Sequence, residues 1–191
     1  ATEQTGSISS PLQDELPGID QGDLALKNLL VQMQDAAFER LCAAIMVANN
    51  ADETMVTGKA NDGGIDGTAT YSVDELKLIT FRVAWQCKRY TNRTVGSMEV
   101  RNFRGSLDHK TDHGIIFTTS TFTAEAMKES VALGKTPIRL VPLDQLIETL
   151  RALKLGVVSE PEPTVVVSFF EQYRKSWPAA TTSTQVQTAM V

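Results

Sequence analysis

Between Phe81 and Tyr90 the chain runs Phe-Arg-Val-Ala-Trp-Gln-Cys-Lys-Arg-Tyr. β-branched and aromatic residues are frequent and neither Gly nor Pro interrupts, so the stretch predicts a β-strand. Side chains alternate faces along a strand. Phe81, Val83, Trp85 and Cys87 then form an ordinary core face, while Arg82, Ala84, Gln86 and Lys88 look the other way. That second face puts an amide and an ammonium two residues apart on an inner strand of an α/β domain. A buried Lys is costly without an anionic partner. Asp66, in the turn-rich run Asn61-Asp62-Gly63-Gly64-Ile65-Asp66-Gly67, is the best-placed candidate.

The rest of the chain alternates helix and strand around this segment. From Leu24 to Asn50, Leu26, Leu29, Leu30, Met33, Ala37, Phe38, Leu41 and Ile45 recur at helical spacing. A break near Gln34-Asp35 is expected, with Asp35 as N-cap of the second part. A short strand at 54–57, a loop at 58–64, a strand at 65–72 and a polar hairpin at 73–78 lead into the central strand at 79–89. Then follow a helix (97–111), a strand (114–119), a helix (123–133) stopped by Gly134, a strand (138–143) and a helix (144–155) ended by Gly156. The order predicts an α/β sandwich with a mixed central sheet. Residues 1–34 read as a lead-in, partly flexible and partly helical, and 35–156 as the main domain. A C-terminal extension, 157–191, starts at a linker marked by Pro161 and Pro163. It holds a strand or helix over 165–173 and a Thr/Ser/Gln-rich end expected to be disordered.

At 191 residues the chain is long enough for one full hydrophobic core. No apolar run approaches the roughly 18–20 residues needed to cross a bilayer, and Ala1–Ser10 lacks the features of a signal peptide. A cytoplasmic protein is expected, and the missing initiating Met suggests processing or a longer parent. Cys42 and Cys87 show no C-x-x-C spacing and suit buried thiols in a reducing compartment. With only His109 and His113 to join them, they match no familiar zinc pattern.

The net charge of −5 conceals an asymmetry. Residues 1–81 carry −9 and residues 111–191 carry −1, whereas 82–110 carry +5. A basic segment that starts at Gln86 and Lys88 suits a phosphate-bearing substrate; the plainer alternative is a solvated loop and helix face.

The chemistry follows from the donor types. Glu39 and Asp66 can bring carboxylate oxygens to a hard cation, and the Gln86 carbonyl can add another. Mg²⁺ suits so sparse a set, because it keeps several waters and uses substrate phosphate oxygens for the rest. Such a metal activates water and stabilises charge building on a phosphodiester. Lys88 can orient or deprotonate that water, or neutralise the pentacovalent phosphorus.

Four ordered stretches resemble the catalytic domain of Mrr-like restriction endonucleases, within the PD-(D/E)xK nuclease superfamily: Phe38-Glu39-Arg40-Leu41, Asp62-Gly63-Gly64-Ile65-Asp66-Gly67, Gln86-Cys87-Lys88-Arg89-Tyr90, and Gly114 to Phe122. The resemblance covers roughly residues 35–155. It implies a restriction-endonuclease-like α/β/α sandwich and metal-dependent hydrolysis of DNA, with Mg²⁺ or alternatively Mn²⁺. It also implies catalytic roles for Asp66, Gln86, Lys88 and Glu39, with Asp66, Gln86 and Glu39 as metal ligands. Gln in the usual acidic position is typical of the Mrr branch, and characterised relatives attack modified DNA. The family often places a winged-helix domain before the nuclease, and the 34 residues before Asp35 are too few for one. Arg89, Arg93, Arg101 and Arg104 are the expected DNA contacts, and cutting both strands calls for a homodimer or higher oligomer. Two other functions fit the same fold: a repair or junction nuclease, and a catalytically silent DNA-binding module. Individual residues also have plainer roles open to them. Asp62 can be a turn residue, Glu39 an exposed helix residue and Lys88 a structural ion-pair partner of Asp66. Thr118, Thr119 and Ser120 can bind phosphate or cap the following helix.

Overall fold

The computed structural model describes residues 21–57, 64–159, 163–174 and 181–182. Helices α1 (Gln21–Gln32) and α2 (Asp35–Ala48) precede strands β1 (Glu53–Val56), β2 (Gly67–Ser72) and β3 (Thr80–Lys88). There follow α3 (Ser97–Ser106), β4 (His113–Thr118), α4 (Ala124–Ser130), β5 (Ile138–Val141) and α5 (Leu143–Ala152). The chain continues through β6 (Val157–Ser159), β7 (Pro163–Val165), α6 (Val167–Glu171), one 3₁₀ turn (Gln172–Arg174) and β8 (Thr181–Thr182).

The central sheet has the order β5-β4-β3-β2-β1, with the two-residue β8 on its edge. β1, β2 and β3 pair antiparallel, while β3, β4 and β5 are parallel. The carboxyl ends of the three parallel strands therefore share one rim with the start of β2. The β2–β3 hairpin lies at the other end.

Helices cover both faces, which explains why β3 is buried on both sides from Val83 to Gln86. On one face Phe38, Leu41, Cys42 and Ile45 of α2 join Trp85, Phe117 and the α5 residues Leu146 and Leu150 in the larger core. On the other, Ala84 and Ile116 meet Val100 and Phe103 of α3 and Ala126 of α4. Gly67 permits the tightest of these contacts, since a Cβ there would lie 2.1 Å from the Trp85 ring.

Several local expectations need correction. Phe81, assigned to the core face, is exposed and packs edge-on against His113, because it stands in the first turn of β3 outside the larger core. Asp35 is not the cap of α2: Gln34 occupies that position without a side-chain bond, and the Asp35 carboxylate is taken by Arg89. The helix after residue 97 stops at Ser106 rather than 111, and Asp108 then accepts the Lys110 N–H and the Thr111 hydroxyl in a tight turn. Pro163 lies in a short hairpin of β6 with β7, not in an open linker. Leu26 and Leu30 from before residue 35, and Val157, Phe170 and Tyr173 from after 156, all enter the larger core. Thr181–Thr182 pairs with β1. The remainder of the C-terminal stretch expected to be disordered, the first 20 residues and Asp62 lie outside the described residues.

Candidate active site

The rim is built where β2 leaves β3. Regular pairing ends with Gly67 opposite Trp85. One residue further out, the Asp66 N–H still donates to the Trp85 carbonyl at 2.9 Å. The Cys87 N–H, however, donates to the Asp66 carboxylate at 2.6 Å. The side chain has thus taken the place of a strand partner, and this anchors Asp66 beside Gln86 and Cys87.

Gln86 is only 5% exposed. A buried amide must be hydrogen-bonded, and its Nε2 donates to the Gly64 carbonyl at 2.5 Å. Lys88, two residues on and half-buried, follows on the same face of β3. Glu39 arrives from the opposite side: α2 starts at this rim, where Arg89 grips Asp35 at 2.6 Å and the Val31 carbonyl at 3.2 Å.

Cys87 lies in the field of both carboxylates. Burial, a hydrogen bond with Cys42, and the negative charges of Asp66 and Glu39 push its thiol well above the ordinary value. The expected core position of Cys87 therefore holds: it packs against the larger core beside Cys42. Among the described residues no three His, Cys, Asp or Glu side chains form a metal cluster. A cation here needs the Gln86 oxygen beside the two carboxylates, and that all-oxygen set suits a hard ion which retains waters.

The basic loop after β3 is pinned to the end of β4. Thr118 Oγ1 donates to the Lys88 carbonyl at 2.7 Å, Thr119 Oγ1 to that of Tyr90 at 2.9 Å and Ser120 Oγ to that of Arg93 at 2.7 Å. These hydroxyls neither cap the next helix nor stand open for phosphate; Thr123 caps α4 instead.

The four arginines separate by position. Arg89 is at the rim but tied to Asp35. Arg93 is 62% exposed; it stacks 4.0 Å from the Tyr90 ring centroid and bonds the Tyr90 hydroxyl and Glu99. Arg101 is exposed on α3 with a 3.1 Å bond to Ser97. Arg104 differs: its side chain is 10% exposed, pairs with Glu129, and donates to the carbonyls of Thr136, Glu129 and Ser130. It fastens α3 to α4 and the turn after it. Sequence reasoning missed this role, and it missed the bond from Gln86 to the Gly64 carbonyl and the hydroxyl ladder.

The family model described as "Restriction endonuclease" (Mrr_cat) matches residues 30–150. No curated protein matches significantly. Among solved structures, the "DNA modification-dependent restriction endonuclease AspBHI" aligns with a TM-score of 0.65 at 21% identity, over 90% of this chain and 44% of its own. The "MspJI Restriction Endonuclease in Complex with 27-mer Oligonucleotide" aligns with a TM-score of 0.56 at 20% identity, over 75% of this chain and 35% of its own. At such identities these alignments speak to the fold, and the chain spans less than half the length of either relative.

Proposed function

The chain belongs to the Mrr_cat family of restriction endonucleases, and from that premise we propose that it is a metal-dependent endonuclease hydrolysing DNA phosphodiesters in the restriction of modified or foreign DNA. The observation that carries this reading is the meeting of Asp66 and Gln86 across β2 and β3, at the rim where Lys88 and Glu39 also stand. Asp66, Glu39 and the Gln86 oxygen would hold the cation, Mg²⁺ or Mn²⁺. Bound there, it would supply an activated water and stabilise charge on the phosphate. Lys88 orients or deprotonates the attacking water and neutralises charge at the phosphorus. Arg93, stacked on Tyr90, and Arg101 offer cations to the DNA backbone beside the site. Arg89 contributes through the rim it braces, while Arg104 fits an intramolecular role. A dimer accounts for cutting both strands. No helix of the described residues is long and apolar enough to cross a membrane, and a cytoplasmic setting suits the free Cys42 and Cys87.

Supercoiled plasmid, methylated and unmethylated, incubated with Mg²⁺, Mn²⁺ or EDTA tests the proposal. Nicking or linearisation with metal and none with EDTA is expected, with preference for the modified plasmid. Asp66→Asn should abolish cleavage and leave DNA affinity equal or higher, because one negative charge facing phosphate is gone. Full activity in that variant would end the assignment of the site.

A further inference from the structure

We propose that Gly64 is a positioning residue for Gln86: its backbone carbonyl holds the amide by the nitrogen end, so that Oε1 is the end left for a cation. The inference rests on the reading of Gln86 as a metal ligand. A carboxylate has two equivalent oxygens and cannot be presented the wrong way round. An amide can, because its two ends are almost the same size and only the oxygen attracts a cation. A Gln in this place therefore needs a device that fixes its flip.

Gly64 is that device. A carbonyl accepts and never donates, so it selects Nε2, and the bond is 2.5 Å. Gln86 is buried, so loss of this partner is not made good by bulk water. Only glycine brings the carbonyl so close. Gly64 has φ +88°, and a Cβ on it would lie 2.2 Å from Nε2. The pair is thus matched in both directions: a side chain at 64 displaces the amide, and a carboxylate at 86 sets oxygen against oxygen. Gln86→Glu, which adds charge to a cation site, should therefore weaken it.

The first readout uses metal-free protein with ¹⁵N-labelled glutamine. The Gln86 amide should show two well-separated proton resonances, one of them slow to exchange with water. The second is Mn²⁺ binding by calorimetry. Gly64→Ala and Gln86→Glu should each weaken it about 10- to 100-fold, the range for groups that orient a ligand. The double variant should be little worse than either single one. Thermal melting accompanies each variant, and the wild-type spectrum and Gln86→Glu carry the test if Gly64→Ala does not fold. A freely exchanging Gln86 amide in wild-type protein, or Gln86→Glu binding Mn²⁺ as tightly as wild type, overturns the proposal. Asp66→Asn separates the two levels. If it abolishes Mn²⁺ binding while Gln86→Glu does not weaken it, only the role of Gly64 fails; if Asp66→Asn also binds normally, the metal site itself fails.

Discussion

The two ends of β3 treat water in opposite ways. At its carboxyl end a Gln is buried, a Lys half-buried, and the Asp66 carboxylate bonds the Cys87 N–H. At its start, Leu76 and Leu78 of the hairpin are 78% and 79% exposed, and Ile79 and Phe81 are open too. A buried polar group or a large exposed apolar patch is informative, whereas a lone exposed Leu is not. The polar end has its groups held by specific bonds from Gly64, Cys87 and the strand-end hydroxyls. The hairpin is shaped by Asp74, which accepts the N–H groups of Leu78 and Ile79, and by Lys77 at φ 57°. Its apolar side chains contribute little to that geometry. One end holds buried polar groups by specific bonds, and the other is a turn whose large apolar side chains the fold does not use.

If that contrast is right, Lys88→Ala lowers plasmid cleavage by a factor of roughly 100 or more, the usual loss for an acid–base or electrostatic group. Its melting temperature stays near that of wild type, since only a half-buried tip is removed. Unfolding with little loss of specific activity would make Lys88 a structural residue and break the contrast at its polar end.

The arginines sharpen it. Arg93→Ala should weaken binding to every DNA sequence alike and reduce the log–log salt slope by about one unit. Arg104→Ala should leave that slope unchanged and give the largest drop in melting temperature of the four arginine-to-alanine variants. It removes the part-buried partner of Glu129, leaving it only Lys135 at 3.5 Å, and the bonds that tie α3 to three carbonyls of α4 and the turn after it. Salt titrations and melts on both variants separate the roles.

This pair also marks how far the sequence could be read. The placing of Asp66 against the strand that carries Gln86 and Lys88 was legible because strand alternation and a Gly-rich turn are local signals, and the central sheet and its flanking helices followed from periodicity. Arg104 was not legible. Its partner Glu129 is 25 residues away on another helix, and a count of basic residues is blind to direction. A Gly at 64 suits a positive φ, as it has, but the partner of its carbonyl escaped for a related reason, since the aim of a carbonyl has no signature in residue type. Phe81 was misplaced because alternation gives the face of a strand but not where the covering helix ends. The three hydroxyls at 118–120 looked like capping groups, and their true partners lie across a parallel strand pair.

At the hairpin, Leu78→Ser should change stability by no more than about 0.5 kcal/mol and leave cleavage intact. A clear loss in either measurement would show that the exposed patch is in use.

The smallest effect concerns acid. The Lys77 ammonium beside Asp52, with the Ser72 N–H, holds the Asp52 carboxyl below its ordinary value. A carboxyl depressed on folding stabilises the protein above the unfolded-state value, and that contribution fades as pH falls through the folded one. Below about pH 4 the melting temperature of wild type should therefore approach that of Asp52→Asn, while above it wild type is the more stable. Curves that stay parallel through this range would leave the Lys77–Asp52 pair without effect.

The bonds between the loop after β3 and the end of β4 bear on modularity. Beyond the three hydroxyl contacts, Val95 donates to the Thr121 carbonyl and accepts from the Thr123 N–H. Residues 88–95 and 118–123 are thus stitched together along their length, though far apart in the chain. A designer who grafts a foreign loop into one of them leaves the other with orphaned donors and acceptors. The two connections form a single exchangeable part, and a working chimera has to carry both.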